Sequence, residues 1–324
     1  MKAVLYERYG APEVALQFKE IAKPAPKDHQ VLVKVHAASV NAKDWRGFTM
    51  PSLLLFMRLF TGGWRKPKDT TSGTDVAGVV EAVGENVTRF KPGDKVFGFA
   101  HGSFAEYALA RESYLALRPA NRSFEEAACV PIAALTALQV IRAAGGLRSD
   151  QHVLIQGASG GVGMFAVQLA KASGAEVTAV CSARNFNLAR SWGADHVIDY
   201  AKEDFIKNDK QYDVILAING YHSLLAYRRT LKPQGVYVCA GGDLIQFVQV
   251  ILFGKRLSQK GGRTLMSMGV AKPNQEDITH LAELLKDGTI APVIDRTYPL
   301  EETVNAIRYV IEHHAQGKIV ITME

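Results

Sequence analysis

The sequence predicts an α/β protein in which a β-rich region precedes a doubly wound parallel sheet. Three observations support this fold class. A glycine-rich turn, Gly157–Gly163, stands between a short apolar strand and a helix-forming segment. Apolar strand segments and helical segments then alternate as far as residue 268, which is typical of parallel strands joined by crossover helices. Before residue 120, short β-type segments are separated by Pro, Gly, Asp and Asn, which favours a turn-rich β structure.

The β-rich region is predicted to begin with the first residues of the chain. Strands are expected at Met1–Tyr6, Val31–Ala37 and Val76–Val83, and turn residues at 91–94 lead into a further strand. The pattern changes at Ser123, because a serine followed three residues later by Glu126 forms a capping box that opens a helix.

Six strands are expected in the parallel sheet, with helices between most of them. They are Val153–Gln156, Val177–Cys181, His196–Asp199, Asp213–Ala217, Gly235–Ala240 and Thr264–Met268. A helix at about Gln275–Lys286 follows and ends before Gly288. Two β segments, Ala291–Arg296 and Lys318–Ile321, flank a helix at Leu300–His313. We therefore expect the C-terminal tail to fold back onto the N-terminal region.

Composition excludes several classes of protein. The 324 residues are 48% hydrophobic, which is enough for one large or two ordinary domains. No apolar segment reaches the roughly 20 residues that span a bilayer. Three separated cysteines and the lack of a secretory signal indicate a cytoplasmic protein without disulfides. The net charge of +6 is dispersed and no basic tract is present, so we expect no nucleic-acid partner.

The glycine turn predicts a dinucleotide site. Between a strand and a helix, bare backbone N–H groups and the helix N-terminus can meet a pyrophosphate, and a Cβ there would push the phosphates outward. The residues expected to hold the dinucleotide are Ser159, Gly160, Gly161, Val162 and Gly163. A second strand begins a dozen residues after Gly163, as a βαβ unit requires. The alternative is a glycine-rich helix entry that only packs closely on its sheet.

The end of the second strand indicates which dinucleotide is bound. Sites selective for NAD usually carry Asp or Glu there to bind the ribose hydroxyls. This chain has no carboxylate at that point and offers Ser182 as a hydrogen-bond donor and Arg184 as a charged partner for a 2′-phosphate. NADPH is therefore the expected cofactor. The alternative for Arg184 is a solvated loop residue.

Six motifs spread along the chain carry a resemblance to a known family. They are Ala38–Trp45, Gly73–Val80, Phe90–Val96, Gly157–Gly163, Gly193–Tyr200 and Gly317–Ile321. In order and spacing they resemble the medium-chain dehydrogenase/reductase superfamily, and within it the zinc-independent quinone oxidoreductase-like branch that includes zeta-crystallin and reticulon-interacting reductases. The resemblance implies a GroES-like catalytic domain (residues 1–123 and 272–324), a Rossmann domain (residues 124–271) and a cofactor in the cleft between them.

The same resemblance implies that no metal takes part. Zinc-dependent relatives have a Cys in the first motif and a His in the second, where this chain has Asn41 and Asp75. Zinc prefers thiolate and imidazole ligands, and the adjacent pair His313 and His314 would diverge around a helix. Without a Lewis acid to polarise an alcohol, alcohol dehydrogenation becomes the weaker interpretation.

Further cofactor contacts are implied by the resemblance alone. The residues concerned are Thr136, Tyr200, Asn219, Gly241, Gly242 and Lys318. Thr136 would face the nicotinamide, and Tyr200 would contact the 2′-phosphate. Relatives carry an aspartate near the position of Asn219. The alternative for the two glycines is ordinary turn chemistry, and for Lys318 an exposed strand residue.

The predicted reaction is hydride transfer from NADPH to a quinone or an α,β-unsaturated carbonyl. Such a substrate carries its own electron sink, so orientation would supply most of the rate and hydrogen bonds would stabilise the oxyanion. Asn41 is the candidate donor, with a loop brace as the alternative, and Trp45 would form an apolar wall or pack the domain core. Two other functions stay open: an NADPH-binding structural or regulatory protein with little turnover, and a zinc-free alcohol dehydrogenase.

Two segments that combine apolar and basic residues suggest a small hydrophobic substrate. Leu53–Phe60 is followed by basic residues up to Lys68. We interpret this segment as a lid or a buried helix, in preference to a membrane-binding patch, and expect no membrane contact. Phe247–Arg256 would close the opposite side of the cleft. The apolar sixth strand is expected at the sheet edge, through which relatives form a homodimer.

Overall fold

The computed structural model describes residues 1–49, 70–242, 244–258, 262–313 and 315–323. The chain divides into two compact units. Unit 1 comprises Met1–Ile132 and Pro273–Glu324, and unit 2 comprises Ala133–Lys272. Among the described residues, no helix is both long enough and apolar enough to cross a membrane.

The secondary structure of both units follows the chain order. The strands of unit 1 are β1 (Lys2–Tyr6), β2 (Leu16–Glu20), β3 (Gln30–Ser39), β4 (Asp75–Val83), β5 (Lys95–Phe99), β6 (Tyr107–Arg111), β7 (Leu115–Leu117), β14 (Ile294–Pro299) and β15 (Lys318–Thr322). Those of unit 2 are β8 (His152–Gln156), β9 (Glu176–Cys181), β10 (His196–Asp199), β11 (Tyr212–Ala217), β12 (Leu231–Cys239) and β13 (Thr264–Ser267). The α-helices are α1 (Pro12–Ala15), α2 (Ala42–Thr49), α3 (Phe124–Ala128), α4 (Pro131–Ala143), α5 (Gly161–Ala172), α6 (Phe186–Ser191), α7 (Leu224–Thr230), α8 (Leu244–Ser258), α9 (Gln275–Asp287) and α10 (Thr303–His313).

Unit 1 is built on a seven-stranded sheet with the order β14-β15-β3-β4-β5-β7, in which β6 also pairs with β3. Strand β15 runs antiparallel to β3, with Val320 opposite Ser39. Strand β4 also runs antiparallel to β3, with Asp75 opposite Ser39. The end of β3 therefore lies beside the start of β4 and the start of β15, which brings residues from three distant parts of the chain together.

Apolar side chains on the two faces of this sheet form separate clusters. One contains Val31, Val33 and Val35, whose spacing of two places them on the same face of β3. Another joins Ala38 and Val40 to buried residues of β15 and of the amphipathic helix α10. The alternating pattern of the sequence thus fixes which face of each strand is covered.

Unit 2 contains a six-stranded, fully parallel sheet with the order β10-β9-β8-β11-β12-β13. Counted within the unit, this is the 3-2-1-4-5-6 order of the doubly wound fold. The central strand β8 is buried from Val153 to Ile155, and α5 is buried from Gly163 to Ala170. All six strands expected from the sequence are present, and the predicted fold class is confirmed.

Two local predictions near the helix ends are confirmed. Ser123 caps α3, because its hydroxyl accepts from the Glu126 N–H at 3.1 Å while the Glu126 carboxylate accepts from the Ser123 N–H at 2.8 Å. Helix α9 ends at Gly288, which adopts a left-handed φ of 83°.

The last β segments differ somewhat from the prediction. Strand β14 begins at Ile294, three residues later than expected from the sequence. Pro292 lies in the segment that was expected to pair and has no N–H to donate, which favours the later start. The helix expected from Leu300 begins with a 3-10 turn at Leu300–Glu302 before α10.

Candidate functional site

The glycine turn of unit 2 connects β8 to α5. Gly157 has a left-handed φ of 81°, and a Cβ there would lie 2.7 Å from the Cβ of Asn219. Helix α5 is capped by Gly160, which has no side chain to bond the first helical N–H groups. Those N–H groups have no intrahelical partner. The turn therefore offers bare backbone donors at the positive end of a helix, which is the chemistry of an anion site.

The glycines of this turn have different structural roles. A Cβ at Gly163 would lie 2.1 Å from the Gly157 carbonyl oxygen, so this position is closed by packing of the helix against the turn. At Gly160 the nearest atom to an added Cβ is 3.7 Å away. A Cβ at Gly160 would therefore make only an ordinary van der Waals contact and would not clash with the protein. A dinucleotide fits that arrangement, because a phosphate needs close backbone approach at this point.

The end of β9 gathers the residues predicted to recognise a 2′-phosphate. Asp199 of β10 pairs with Cys181 of β9, so Tyr200 and Ser182 follow paired residues at the same edge of the sheet. Tyr200 is 60% exposed, and Arg184 is exposed on the 3-10 turn Ala183–Asn185. The structure thus brings Ser182, Arg184 and Tyr200 to neighbouring loops.

The ends of β11 and β12 lie at the same edge of the sheet as the glycine turn. Ala217 pairs with Cys239, and Asn219 is exposed two residues after β11. A Cβ at Gly241 would lie 2.5 Å from the Ile218 carbonyl oxygen, and Gly242 has a left-handed φ of 94°. Both glycines are required by the fold. Thr136 is half-buried on α4, the helix that crosses the division between the two units.

Unit 1 contains a buried polar cluster centred on Asn41. The Asn41 side-chain N–H₂ donates to Asp75 Oδ2 at 2.8 Å and to the Ser39 carbonyl oxygen at 3.2 Å, and its Oδ1 accepts from Lys318 Nζ at 2.5 Å. Asn41 is only 8% exposed. Both ends of the amide are therefore engaged, as in the loop-brace alternative considered from the sequence.

Lys318 is 3% exposed and is the cation of this cluster. Its Nζ donates to the Val40 carbonyl oxygen at 3.0 Å and lies 3.7 Å from Asp75 Oδ2. The alternative of an exposed strand residue is therefore wrong. Lys318 begins β15, and the pairing of β15 with β3 carries its side chain to the residues that follow Ser39.

Asp75 is fully buried and holds the cluster together. Its Oδ2 accepts from the Ser39 hydroxyl at 2.8 Å and its Oδ1 from the Ile132 N–H at 3.0 Å, in addition to the bond from Asn41. Burial raises the pKa of this carboxyl, and the Lys318 ammonium opposes that shift. A buried ion pair of this kind is sustained only when its oxygens also accept hydrogen bonds, and here both oxygens of Asp75 do.

Asp44 is a second buried carboxyl, and the sequence reasoning missed it. Its Oδ2 accepts from the Asn41 N–H at 2.8 Å and its Oδ1 from the Thr74 hydroxyl at 3.3 Å. Burial, aided by the charge of Asp75, raises its pKa from 3.8 to about 7. The signal was available: an acidic residue three positions after Asn41 at a helix start is half of a capping box.

The polar cluster does not have the composition of a zinc site. Among the residues that the structure describes, no three His, Cys, Asp or Glu side chains come together as potential ligands. Beside the Asn41 amide lies the Lys318 ammonium, which has no lone pair to offer a metal ion.

The remaining predicted residues have the following positions. Trp45 is half-buried and packs against the apolar cluster of unit 1 that contains Val40. The segment Leu53–Phe60 and the basic residues after it lie outside the described residues. Phe247–Arg256 lies on α8, where Phe247 packs on the core of unit 2 while Ile251, Leu252 and Phe253 are exposed.

Comparison with known proteins places these features in one family. Residues 27–120 match the alcohol dehydrogenase GroES-like domain, and residues 192–321 match the zinc-binding dehydrogenase family. The chain is 34% identical to a chloroplastic quinone oxidoreductase of Triphysaria versicolor, over 99% of this chain and 98% of that protein. It is also 34% identical to 2-methylene-furan-3-one reductase of Solanum lycopersicum, over 99% and 79% respectively. The solved quinone oxidoreductase from Coxiella burnetii superposes with a TM-score of 0.86 at 29% identity, over 100% of this chain and 99% of that one.

Proposed function

This chain belongs to the quinone-oxidoreductase-like medium-chain dehydrogenases/reductases, and we propose that it transfers hydride from NADPH to a quinone or an α,β-unsaturated carbonyl compound without a metal ion. The observation that carries the proposal is the glycine turn of unit 2, where the N-cap Gly160 exposes backbone donors at the start of α5 and a Cβ would meet no protein atom closer than 3.7 Å. Similarity to a quinone oxidoreductase and to a methylene-furanone reductase supports an electron-poor, conjugated substrate.

The preference for NADPH over NADH is supported by the end of β9. No carboxylate stands between Cys181 and Asn185, and Arg184 is exposed beside Ser182. A guanidinium suits a phosphate dianion, whereas a ribose diol is better bound by a carboxylate. Thr136, Tyr200, Asn219, Gly241 and Gly242 complete the proposed cofactor contacts.

Reversing the charge at Arg184 tests the cofactor preference. We expect Arg184→Glu to raise the Kd for NADPH by roughly tenfold to a hundredfold, the range for losing a charged hydrogen bond. The Kd for NADH should stay level or fall. Arg190→Glu, the same charge change on the exposed face of α6, is the matched control. An equal effect of both variants on NADPH would refute a specific contact.

The absence of a metal from the proposed reaction is supported by the donor set of unit 1. When bound, the nicotinamide supplies the hydride, so an electron-poor alkene or quinone needs no Lewis acid. The hydrogen bond from Lys318 to Asn41 Oδ1 polarises the amide and strengthens its N–H₂ as a donor. To donate to a substrate oxyanion, Asn41 would exchange its 3.2 Å bond to the Ser39 carbonyl and keep its 2.8 Å bond to Asp75.

The reaction is tested by following NADPH consumption with a panel of quinones, enones and alkenals. Turnover that is unchanged by a chelator, with no stoichiometric zinc by elemental analysis, is the expected result. Tight NADPH binding without turnover on the whole panel would favour a structural or regulatory protein. Reduction of NADP by simple alcohols would instead identify an alcohol dehydrogenase.

Assembly and location complete the proposal. Strand β13 lies at one end of the described sheet of unit 2, and pairing of two such edges would give a homodimer. A cytoplasmic location remains the prediction of the sequence. Size-exclusion chromatography with light scattering tests the dimer, because a monomer at micromolar concentration would exclude it.

A further inference from the structure

A hydrogen bond within the loop after β9 fixes the orientation of a predicted cofactor contact. Asn185 Nδ2 donates to Ser182 Oγ at 3.1 Å, and the Asn185 backbone N–H donates to the Ser182 carbonyl oxygen at 2.9 Å. Asn185 is 2% exposed, whereas Ser182 is half-buried. The buried side chain therefore holds the more accessible one.

The direction of this bond limits what the Ser182 hydroxyl can do. A hydroxyl has one proton and two acceptor positions, and an amide N–H₂ is a donor that cannot receive the proton. Because Asn185 occupies one acceptor position of Ser182 Oγ, the hydroxyl proton must go to another acceptor. Ser182 is thus biased to act as a donor towards a ligand at the end of β9.

We infer that Asn185 is a positioning residue that makes Ser182 a donor and so favours a 2′-phosphate over a ribose 2′-hydroxyl. The inference rests on the proposed use of NADPH and deepens it. A phosphate dianion offers only acceptors at neutral pH, and a hydroxyl held as a donor matches it without reorganisation. A ribose 2′-hydroxyl gains less from that orientation, because it can bond to a hydroxyl in either direction.

The 3-10 turn around Ser182 supports this role. Ala183 and Arg184 are exposed, while Asn185 turns inward at the end of the same turn. One short segment therefore presents a charged group and an oriented hydroxyl together. Arg184 would supply charge, and the pair of Ser182 and Asn185 would supply direction.

The test compares the binding of two cofactors to four variants. Kd values for NADPH and NADH are measured by fluorescence titration for wild type, Asn185→Ala, Asn185→Asp and Ser182→Ala, and for the combination of Asn185→Asp with Ser182→Ala. We expect Asn185→Ala to raise the Kd for NADPH by about fivefold relative to the Kd for NADH. This corresponds to part of the free energy of one charged hydrogen bond. In Asn185→Asp the carboxylate would accept the hydrogen bond from the Ser182 hydroxyl, so that the hydroxyl proton no longer points to the ligand. The Kd for NADPH should therefore rise further than in Asn185→Ala.

The combined variant separates orientation from charge. If Asn185→Asp acts through Ser182, its effect on NADPH should be much smaller once the hydroxyl is absent, whereas simple repulsion would persist unchanged. Asn187→Ala, at an exposed position on α6, controls for a general disturbance of the segment. NADH binding reports that each variant is folded, since both cofactors need the same glycine turn.

Four outcomes would overturn the inference. Equal weakening of both cofactors by the Asn185 variants would show a purely structural role. An unchanged NADPH affinity in Ser182→Ala would remove the hydroxyl from the site. If wild type does not prefer NADPH, the proposed cofactor preference fails and the inference fails with it. If the wild type prefers NADPH but the Asn185 variants keep the same ratio of Kd values for the two cofactors, the inference is overturned and the proposed cofactor preference stands.

Discussion

The glycine turn of unit 2 and the polar cluster of unit 1 treat their polar groups in opposite ways: the turn leaves backbone donors unused, and the cluster pairs its buried side chains. In the turn, two residues lack side chains. At Gly160 this leaves the backbone accessible, and at Gly163 it lets the helix pack closely against the turn. In the cluster, the polar side chains are buried and partnered: Asn41, Asp75 and Lys318 contact one another through hydrogen bonds and an ion pair. The comparison shows that the glycine turn leaves backbone donors unused, whereas a buried charge is tolerated only when it is paired and hydrogen-bonded.

The largest effect is expected from breaking the cluster at its cation. Lys318→Met leaves Asp75 as a buried carboxylate without its counter-charge, and removal of one partner of such a pair destabilises by about 3–5 kcal/mol. Urea unfolding measures the loss. Lys232→Met is the matched control, because it breaks the 2.8 Å ion pair with Asp213 in a partly exposed setting. That control should lose less than about 1 kcal/mol. Equal losses would show that the buried pair has no special role.

A smaller loss of stability is expected from closing the turn at Gly163. The added methyl of Gly163→Ala would lie 2.1 Å from the Gly157 carbonyl oxygen, a backbone atom that cannot move aside. Overpacking of this kind costs about 1–3 kcal/mol, despite the better helix propensity of alanine. The free energy of unfolding without cofactor is the measurement. A stabilised variant would show that α5 can shift away from the turn.

Gly160→Ala should change the affinity for NADPH more than it changes the stability of the fold. The added methyl meets no protein atom closer than 3.7 Å, and φ is an ordinary −79°. Stability should change by less than about 1 kcal/mol, the usual range for an N-cap substitution. The Kd for NADPH should rise by about tenfold, equivalent to roughly 1.4 kcal/mol, because the methyl occupies the space needed by the phosphates. Unchanged affinity would remove the pyrophosphate from this position.

The last effect is a pH dependence contributed by Asp44, which accumulates gradually over several pH units. Its pKa is raised in the folded chain from 3.8 to about 7, so the folded state holds this proton more tightly than the unfolded state. The stability that this provides is complete below about pH 4 and is lost as pH rises towards 7, with a slope of at most about 1.4 kcal/mol per pH unit.

Asp44→Asn isolates that contribution, since the amide keeps an acceptor oxygen for the Asn41 N–H and does not titrate. The difference in unfolding free energy between wild type and Asp44→Asn should move in favour of the variant between pH 4 and pH 7, and then level off. Asp150→Asn, at an exposed carboxylate, serves as the control. A pH-independent difference would mean that Asp44 has no raised pKa in the folded chain.

Local patterns in the sequence were sufficient for the fold of unit 2. Each strand is a short apolar segment bounded by turn residues, and the glycine turn marks the start of α5. Ser182 and Arg184 could be identified in the same way, because their position follows directly from the end of a strand. The hydrogen bond from Asn185 could not, since two neighbouring polar residues have many arrangements in a loop.

The polar cluster had no comparable pattern. Asn41 and Lys318 are separated by 277 positions along the chain, and only the pairing of β15 with β3 brings them together. The same pairing decides whether Lys318 is an exposed strand residue or the cation of a buried pair. Neither composition nor spacing contains that information.

The sequence by itself determined the parallel sheet, the glycine turn and the residue types at the end of β9, because helix and strand periods and turn chemistry act over a few neighbouring residues. The tertiary structure alone decided which polar side chains are buried, which of them are hydrogen-bonded or ion-paired to one another, and which glycine of the turn is packed against backbone. Those properties depend on the pairing of distant strands and on the low polarity of the surroundings, and both arise only when the chain has folded.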